Sequence, residues 1–363
     1  MKKIGIVGLG LIGGSIAKAI KSRLNYEIVA FNRSEASLIQ AYEEGVINQY
    51  STTDMSIFKG CSIVYVCTSV DLIPEYVEKL IPYIDSSCIV TDVGSTKGEI
   101  CKKMEKFKNI RFIGGHPMAG SEQTGYKAAK EFLYENAYYI LTPNENITQE
   151  KLNEFTEIVR AIGAIPLHVS PQEHDYMVAA VSHVPHIIAA ALVNTVESLD
   201  SKDRLMHSIA AGGFKDITRI ASSSPQVWSS ICFDNRDEIL KVLNAFKAIL
   251  DNYEKAIYNN SNEIFDYFEN AREYRNSFAS KACITADKAF EVYVDITNTT
   301  GILAKIVTLL SNNSINIQNI GIVNNREYSA GILHISFDNH KAKEQAIQVL
   351  EKENYTVYNK DVK

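Results

Sequence analysis

Along the first half of the chain, short apolar runs alternate with stretches in which apolar residues recur every three or four positions. The strand-like runs are Lys3–Gly8, Glu27–Phe31, Ser62–Cys67, Cys88–Val93, Arg111–Gly114, Ala137–Leu141 and Ile165–Val169. Between most of them the spacing predicts helices, at Glu35–Glu44, Leu72–Tyr83, Lys97–Lys106 and Gln149–Ile162. This alternation predicts βαβ units in an α/β, Rossmann-type sheet, mostly parallel and covered on both faces. From about Pro171 to Lys281 the strand signals stop. Helical spacing takes over, as in Met177, Val181 and Val184, or Leu240, Leu243, Phe246, Ile249 and Leu250. From Cys283 a third pattern begins: strand Ala289–Ile296, helix Gly301–Leu310, strands Asn316–Val323 and Tyr328–Phe337, helix His340–Lys352, strand Tyr355–Tyr358. That β-α-β-β-α-β order is the ferredoxin-like plan. Three domains are therefore expected, over residues 1–169, 170–281 (all helical) and 286–363.

The first strand runs directly into Gly8-Leu9-Gly10-Leu11-Ile12-Gly13, and helical character follows. A lone G-x-G-x-x-G is weak, but between a strand and a helix each glycine has a task. Gly8 permits the tight turn, Gly10 lets the backbone approach a pyrophosphate, and Gly13 lets helix and strand pack closely. The helix N-terminus adds free N–H groups and a positive dipole end for phosphate. A dinucleotide cofactor is the expectation. In an NAD site an acidic residue about 20 residues on receives the ribose 2′-hydroxyl. Here Asn32 and Arg33 stand there instead; Asn32 can bond a ribose and Arg33 can pair with a 2′-phosphate, so NAD and NADP both stay open.

Composition narrows the class. Of 363 residues, 46% are hydrophobic and 22% charged, which is a globular rather than a disordered chain. Lys+Arg 37 against Asp+Glu 43 gives a net charge of −6, without a basic block, so neither a nucleic acid nor an anionic membrane is an expected partner. The cysteines Cys61, Cys67, Cys88, Cys101, Cys232 and Cys283 form no C-x-x-C pair and read as buried thiols in a reducing cytoplasm. Lys2-Lys3, the apolar run Ile4–Ile16 and Ala17-Lys18-Ala19 imitate a secretory signal, but the five glycines within the run make a poor hydrophobic helix. No segment offers about 20 uninterrupted apolar residues, so no membrane span is expected.

Four further stretches carry candidate chemistry. Asp92-Val93-Gly94-Ser95-Thr96-Lys97 reads as a strand end turning into a helix, the edge at which such sheets hold their ligands. Gly114-Gly115-His116-Pro117-Met118-Ala119-Gly120-Ser121-Glu122 reads as a loop fixing a histidine at that same edge, where it can take a proton near neutral pH. Ser182-His183-Val184-Pro185-His186 puts two histidines on one helix face, without the further ligands that zinc requires, and no metal is expected. Gly212-Gly213-Phe214-Lys215-Asp216-Ile217-Thr218-Arg219 opens a helix with Lys215 and Arg219 at i and i+4, and the lone tryptophan, Trp228, follows.

In their order, these motifs resemble the prephenate dehydrogenase (TyrA) family with a C-terminal ACT domain, over essentially the whole chain. The resemblance implies oxidative decarboxylation of prephenate to 4-hydroxyphenylpyruvate with reduction of NAD(P)+. It implies catalytic roles for His116, as proton acceptor, and for Ser95, which helps orient this histidine and the nicotinamide. Arg219, Lys215, Asp216, His183, Glu122 and Trp228 are implied around the substrate. Gly8, Gly10, Leu11, Ile12, Gly13, Asn32, Arg33 and Thr68 are implied around the cofactor. The first turn of the ACT segment, Asn298-Thr299-Thr300-Gly301-Ile302, implies amino-acid regulation through Asn298, Gly301 and Ile302, with L-tyrosine as effector. The helical segment implies a substrate and dimerisation domain, hence a homodimer. The nearest alternative is arogenate dehydrogenase, with the same ring chemistry. From other classes come an inactive NAD(P)- and amino-acid-responsive sensor, and a 3-hydroxyacid dehydrogenase lacking the Gly114–Glu122 motif.

Overall fold

A computed structural model describes residues 2–121, 123–280, 290–297, 299–323 and 330–358. The chain forms two compact units, Met1–Asp251 and Asn252–Lys363. Glu122, Asn298 and Cys283 lie outside the described residues.

The first unit is built on an eight-stranded sheet, ordered β3-β2-β1-β4-β5-β6-β7-β8. The strands are β1 (Lys3–Val7), β2 (Glu27–Phe31), β3 (Gln49–Ser51), β4 (Ile63–Val66), β5 (Ile89–Asp92), β6 (Arg111–Pro117), β7 (Tyr138–Pro143) and β8 (Ile165–His168). The first six run parallel, β7 is antiparallel to β6, and β8 is parallel to β7. The two-residue period of a strand divides the core between the faces. Ile4, Ile6, Ile28, Ala30, Ile63 and Tyr65 join one cluster, while Val7, Val29, Phe31, Val64, Val66 and Val90 join the other. Each buried Val, Ile or Phe among them stabilises the fold by roughly 1.5–3 kcal/mol. Helices α1 (Leu11–Arg23), α2 (Glu35–Glu43), α3 (Ile73–Leu80), α4 (Gly98–Met104) and α5 (Gln149–Ala161) complete the layers. The segment that imitates a secretory signal is thus β1, the glycine turn and α1.

Gly14 has a separate task. A Cβ there would meet the Tyr126 ring at 2.7 Å and Ala129 at 2.8 Å, so glycine lets the turn Tyr126–Ala128 lie against α1. The Lys130 amide donates to Ser15 Oγ (2.9 Å), and the Tyr134 hydroxyl donates to the Ile12 carbonyl (2.7 Å), fastening this segment.

The sequence pattern ends the strand that begins at Arg111 at Gly114 and reads Gly115 and His116 as loop. The structure corrects this: β6 continues to Pro117, with Gly115 opposite Leu141 and His116 opposite Ile140. The glycines serve close packing rather than a turn. A Cβ on Gly114 would stand 2.2 Å from Thr142 Oγ1, and one on Gly115 would stand 2.5 Å from the Asp92 carbonyl oxygen.

After β8 the first unit is helical. Ser170 and Glu173 form a reciprocal capping box at the start of α6 (Pro171–Val178). A π-helical turn, Ala179–His183, joins it to α7 (Val184–Leu199). By length and composition the run Pro171–Leu199 is long and apolar enough to cross a membrane, its most apolar 18-residue stretch having mean hydropathy 1.7; in this fold its buried side carries His174, Asp175 and His183. Then come α8 (Leu205–Ile209), α9 (Gly212–Thr218), a 3₁₀ turn Arg219–Ser222, α10 (Pro225–Asp234) and α11 (Arg236–Tyr258). These helices leave large apolar side chains in solvent, among them Val181, Ile209, Ile217 and Phe233.

The second unit contains α12 (Glu263–Ser280) and a four-stranded antiparallel sheet ordered β10-β11-β9-β12. Its elements are β9 (Phe290–Thr297), α13 (Ile302–Asn312), β10 (Asn319–Val323), β11 (Ala330–Phe337), α14 (His340–Lys352) and β12 (Val357–Tyr358), the ferredoxin-like order expected. Val292, Val294, Ile306, Leu310, Ile335 and Leu350 form its core.

Candidate active site

The glycine turn lies where the strand order reverses, between β1 and its neighbours β2 and β4, which is where doubly wound sheets bind ligands. Gly8 has φ +92°, and a Cβ there would stand 2.4 Å from the Cys67 carbonyl oxygen. A Cβ on Gly13 would stand 2.1 Å from the Gly8 carbonyl oxygen. Both positions therefore demand glycine. The first turn of α1, Leu11 to Gly13, receives no side-chain cap, so its amides remain available to an anion. A cleft of ≈ 200 Å³ beside it is lined by Gly8, Gly10, Asn32, Arg33, Thr68 and neighbours. Asn32 Nδ2 donates to the Ser34 carbonyl (3.1 Å), which holds the loop after β2.

A second cleft, of ≈ 380 Å³, gathers Ser95, His116, His183, Arg219 and Trp228 from five separate stretches, together with His186. Lys215 and Asp216 are not on its wall; both are exposed on α9. The sequence puts Lys215 and Arg219 on one helix face, but α9 ends at Thr218 and Arg219 opens the tighter 3₁₀ turn. His186 is stacked on Trp228 with centroids 3.7 Å apart, and His183 meets the same indole edge-on at 6.0 Å. The two histidines do share a face, and each is engaged elsewhere: Asn235 Nδ2 lies 3.1 Å from His183 Nδ1, and His186 Nδ1 is 2.9 Å from the Ser182 carbonyl oxygen.

Behind His116 lies a buried polar network. His116 Nδ1 is 2.7 Å from His174 Nε2, and His174 Nδ1 is 2.7 Å from Asp175 Oδ1. Asp175 accepts the amides of Lys97 (2.8 Å) and Gly98 (2.7 Å), capping α4 from a distant helix. Asp92 accepts the amides of Gly94 (2.8 Å) and Gly115 (3.0 Å) and pairs with the Lys97 ammonium. One network thus ties the Asp92–Lys97 stretch to β6 and α6. Among the described residues His116 is held by His174, while Ser95 shares the cleft wall.

Burial, then the neighbouring His174, Lys97 and His183, push the His116 pKa well below the ordinary histidine value. Burial likewise lowers His174, and lowers His183 to about 4. These imidazoles are neutral near pH 7. A neutral imidazole beside a cation can accept a proton from a bound hydroxyl.

The sequence does not single out His174, Asp175 or Asn235 as site residues, and marks His186 only as a weak metal-ligand candidate beside His183. Ser170-Pro171 and Glu173 signal the start of a helix that carries His174 in its first turns. No local signal announces a contact across 58 residues.

In the second unit Gly301 has φ +85° and precedes α13, which opens at Ile302. Glycine is favoured in that left-handed position.

A glycine turn at a sheet switch point and a neutral histidine on an adjoining cleft define an oxidoreductase of the dinucleotide-binding class. Family models refine this: prephenate dehydrogenase, nucleotide-binding domain, matches residues 16–166; prephenate dehydrogenase, dimerization domain, matches 170–270; an AHAS small subunit-like ACT domain matches 292–358. The chain is 36% identical to a prephenate dehydrogenase of Bacillus subtilis over 351 residues, 95% of each chain. It is similar to the structure of the Aquifex aeolicus prephenate dehydrogenase in complex with hydroxyphenyl propionate and NAD+ (TM-score 0.73, 30% identity, 77% of this chain and 98% of that one). The Synechocystis arogenate dehydrogenase structure is also similar (TM-score 0.70, 31% identity, 76% and 99%). The chain belongs to the prephenate dehydrogenase family.

Proposed function

We propose that this protein oxidatively decarboxylates prephenate to 4-hydroxyphenylpyruvate with NAD+, in the synthesis of L-tyrosine. The observation that carries the reading is the meeting of His116 and Arg219 on one cleft, with Ser95 and Trp228 beside them. The tight, left-handed Gly8 turn and the uncapped start of α1 fit a dinucleotide pyrophosphate. When bound, the nicotinamide supplies the hydride acceptor.

His116 takes the proton of the ring 4-hydroxyl as carbonyl character develops at that carbon. Aromatisation drives the loss of CO2, so the protein has to position the ring and recognise charge rather than provide a strong base. Arg219 pairs with a substrate carboxylate through two parallel N–H···O bonds. His183 and the His186–Trp228 stack bound the ring, and Ser95 helps orient it against the nicotinamide. Lys215 and Asp216, exposed on α9, are assigned to substrate entry. Gly8, Gly10, Leu11, Ile12 and Gly13 are assigned to the cofactor phosphates, and Asn32, Arg33 and Thr68 to its ribose side. We assign residues 1–169 to the dinucleotide-binding domain, 170–281 to the substrate and dimerisation domain, and 286–363 to the regulatory domain.

The ACT-type unit supports an amino-acid effector, and L-tyrosine as end product is our assignment, with Gly301 and Ile302 at its binding turn. Exposed Val181, Ile209, Ile217 and Phe233 support a homodimer. Free Cys61, Cys67, Cys88, Cys101 and Cys232 support work in a reducing cytoplasm.

Initial rates with prephenate or arogenate, each with NAD+ or NADP+, and with or without tyrosine, test all of this. Turnover of prephenate with NAD+, slowed by tyrosine, is expected. Turnover of arogenate alone overturns the substrate assignment, and a strong preference for NADP+ overturns the choice of NAD+ and pairs Arg33 with a 2′-phosphate.

A further inference from the structure

Hydrogen-bond polarity in the buried network has a consequence for His116 itself. Backbone amides only donate, so the Lys97 and Gly98 N–H groups hold Asp175 as an acceptor on both oxygens. His174 Nδ1, 2.7 Å from Asp175 Oδ1, therefore carries the proton of that bond. A neutral imidazole has one N–H, so His174 Nε2 is a lone-pair acceptor. His116 Nδ1, 2.7 Å from it, must in turn be the donor. That leaves His116 Nε2 without a proton, and it has no protein partner among the described residues. Asn235 Nδ2 fixes the same helix by donating to the Asp175 carbonyl (2.8 Å).

We infer that Asp175 and His174 are positioning residues that lock His116 in the Nδ1–H tautomer and so present Nε2 as the proton acceptor. The inference rests on the proposed reaction only for its kinetic arm; the tautomer belongs to the free protein. During turnover the substrate O–H bond breaks and an Nε2–H bond forms. The positive charge gained by His116 strengthens its Nδ1–H donation to His174, whose own N–H already faces the Asp175 carboxylate. Burial of His174, 0% exposed, and of Asp175, 5% exposed, keeps water from exchanging these partners. A merely structural pair would hold the ring in place but leave its tautomer open.

The first arm is ¹⁵N NMR of histidine-labelled full-length protein near pH 7.5, with His116→Asn used to assign the ring. The expected spectrum has a protonated Nδ1 and a bare Nε2 on His116; the opposite tautomer overturns the inference whatever the enzyme's activity. The second arm is kinetic. In Asp175→Asn the amide oxygen can keep the Lys97 amide and the His174 N–H, but the negative charge behind His174 is lost, so kcat for prephenate falls about tenfold or more while KM stays within about threefold. Because Asp175 also caps α4, His174 variants supply an independent reading. His174→Gln, which keeps an acceptor for His116, is expected to retain at least about tenfold more kcat than His174→Leu, which has none. Equal kcat in the two folded variants overturns the inference. If the unaltered enzyme fails to oxidise prephenate, the proposed function fails, and the NMR arm still decides the tautomer.

Discussion

Asp92 and Lys97 form an ion pair with both side chains 0% exposed, at the point where β5 turns toward α4. The carboxylate also accepts the Gly94 and Gly115 amides, so it braces the adjoining strand that carries His116. Attraction within a buried pair roughly offsets the cost of desolvating both ions, but one ion left alone is not compensated. Lys97→Met is therefore expected to cost about 3–5 kcal/mol of folding stability. Urea unfolding measures it, and a loss below about 1 kcal/mol would mean that the pair is not the brace described.

Gly8 gives a separate prediction. Its φ of +92° and the 2.4 Å approach of the Cys67 carbonyl to any added Cβ make alanine both strained and crowded. Strain of about 1–3 kcal/mol is expected, released by movement of the glycine turn. A shift of the α1 amides away from the pyrophosphate would raise KM for NAD+ by about tenfold or more, since each 1.4 kcal/mol is tenfold in affinity. Gly10→Ala is the comparison, because a Cβ at Gly10 meets nothing within the protein. It should fold normally and weaken only cofactor binding. Equal thermal stability of Gly8→Ala and the unaltered protein would refute the strain argument.

The buried imidazoles make stability depend on pH. His116, His174 and His183 have pKa values lowered by burial, His183 to about 4 from an ordinary value of 6.5. The unfolded chain thus takes up protons near pH 6.5 that the folded protein refuses. Their contribution is complete above pH 6.5 and is lost as pH falls toward the folded values. For His183 alone, the interval from 6.5 to about 4 corresponds to on the order of 3 kcal/mol. Tm should be level from pH 8 to 7 and fall between pH 6.5 and 5, before ordinary carboxylates titrate. A level Tm down to pH 5 would contradict this.

Periodicity revealed most of the architecture because strands and helices bury one face at a fixed spacing. Glu27–Phe31 is a strand to the residue, and Gln149–Ile162 differs from α5 by one position. The short strand Gln49–Ser51 escaped, being three residues with little apolar signal. Gly114 and Gly115 misled the pattern because glycine marks close approach as well as turns; only the facing Thr142 and Asp92 distinguish the two. In the site, residues within recognisable motifs were legible: His116, Ser95, Arg219 and Trp228 do meet. His174 and Asp175 were not, because their part depends on contacts with residues 77 and 78 positions away for Asp175, and 58 for His174.

The division of labour between His116 and Arg219 is testable by how each replacement divides between kcat and KM. His116→Asn preserves a polar side chain of similar reach but removes the basic nitrogen, so it acts on the proton transfer. Its kcat should fall about 10²–10⁴-fold with KM for prephenate nearly unchanged. Arg219→Lys keeps the charge but loses the planar fork that grips a carboxylate with two bonds. That substitution should raise KM, with a smaller effect on kcat, since the lost contact is present in ground state and transition state alike. Steady-state kinetics on both variants separates the roles. If His116→Asn mainly raised KM, the proton would be assigned to another group and His116 to substrate recognition; if Arg219→Lys mainly lowered kcat, the Arg219 contact would belong to the transition state rather than to ground-state binding.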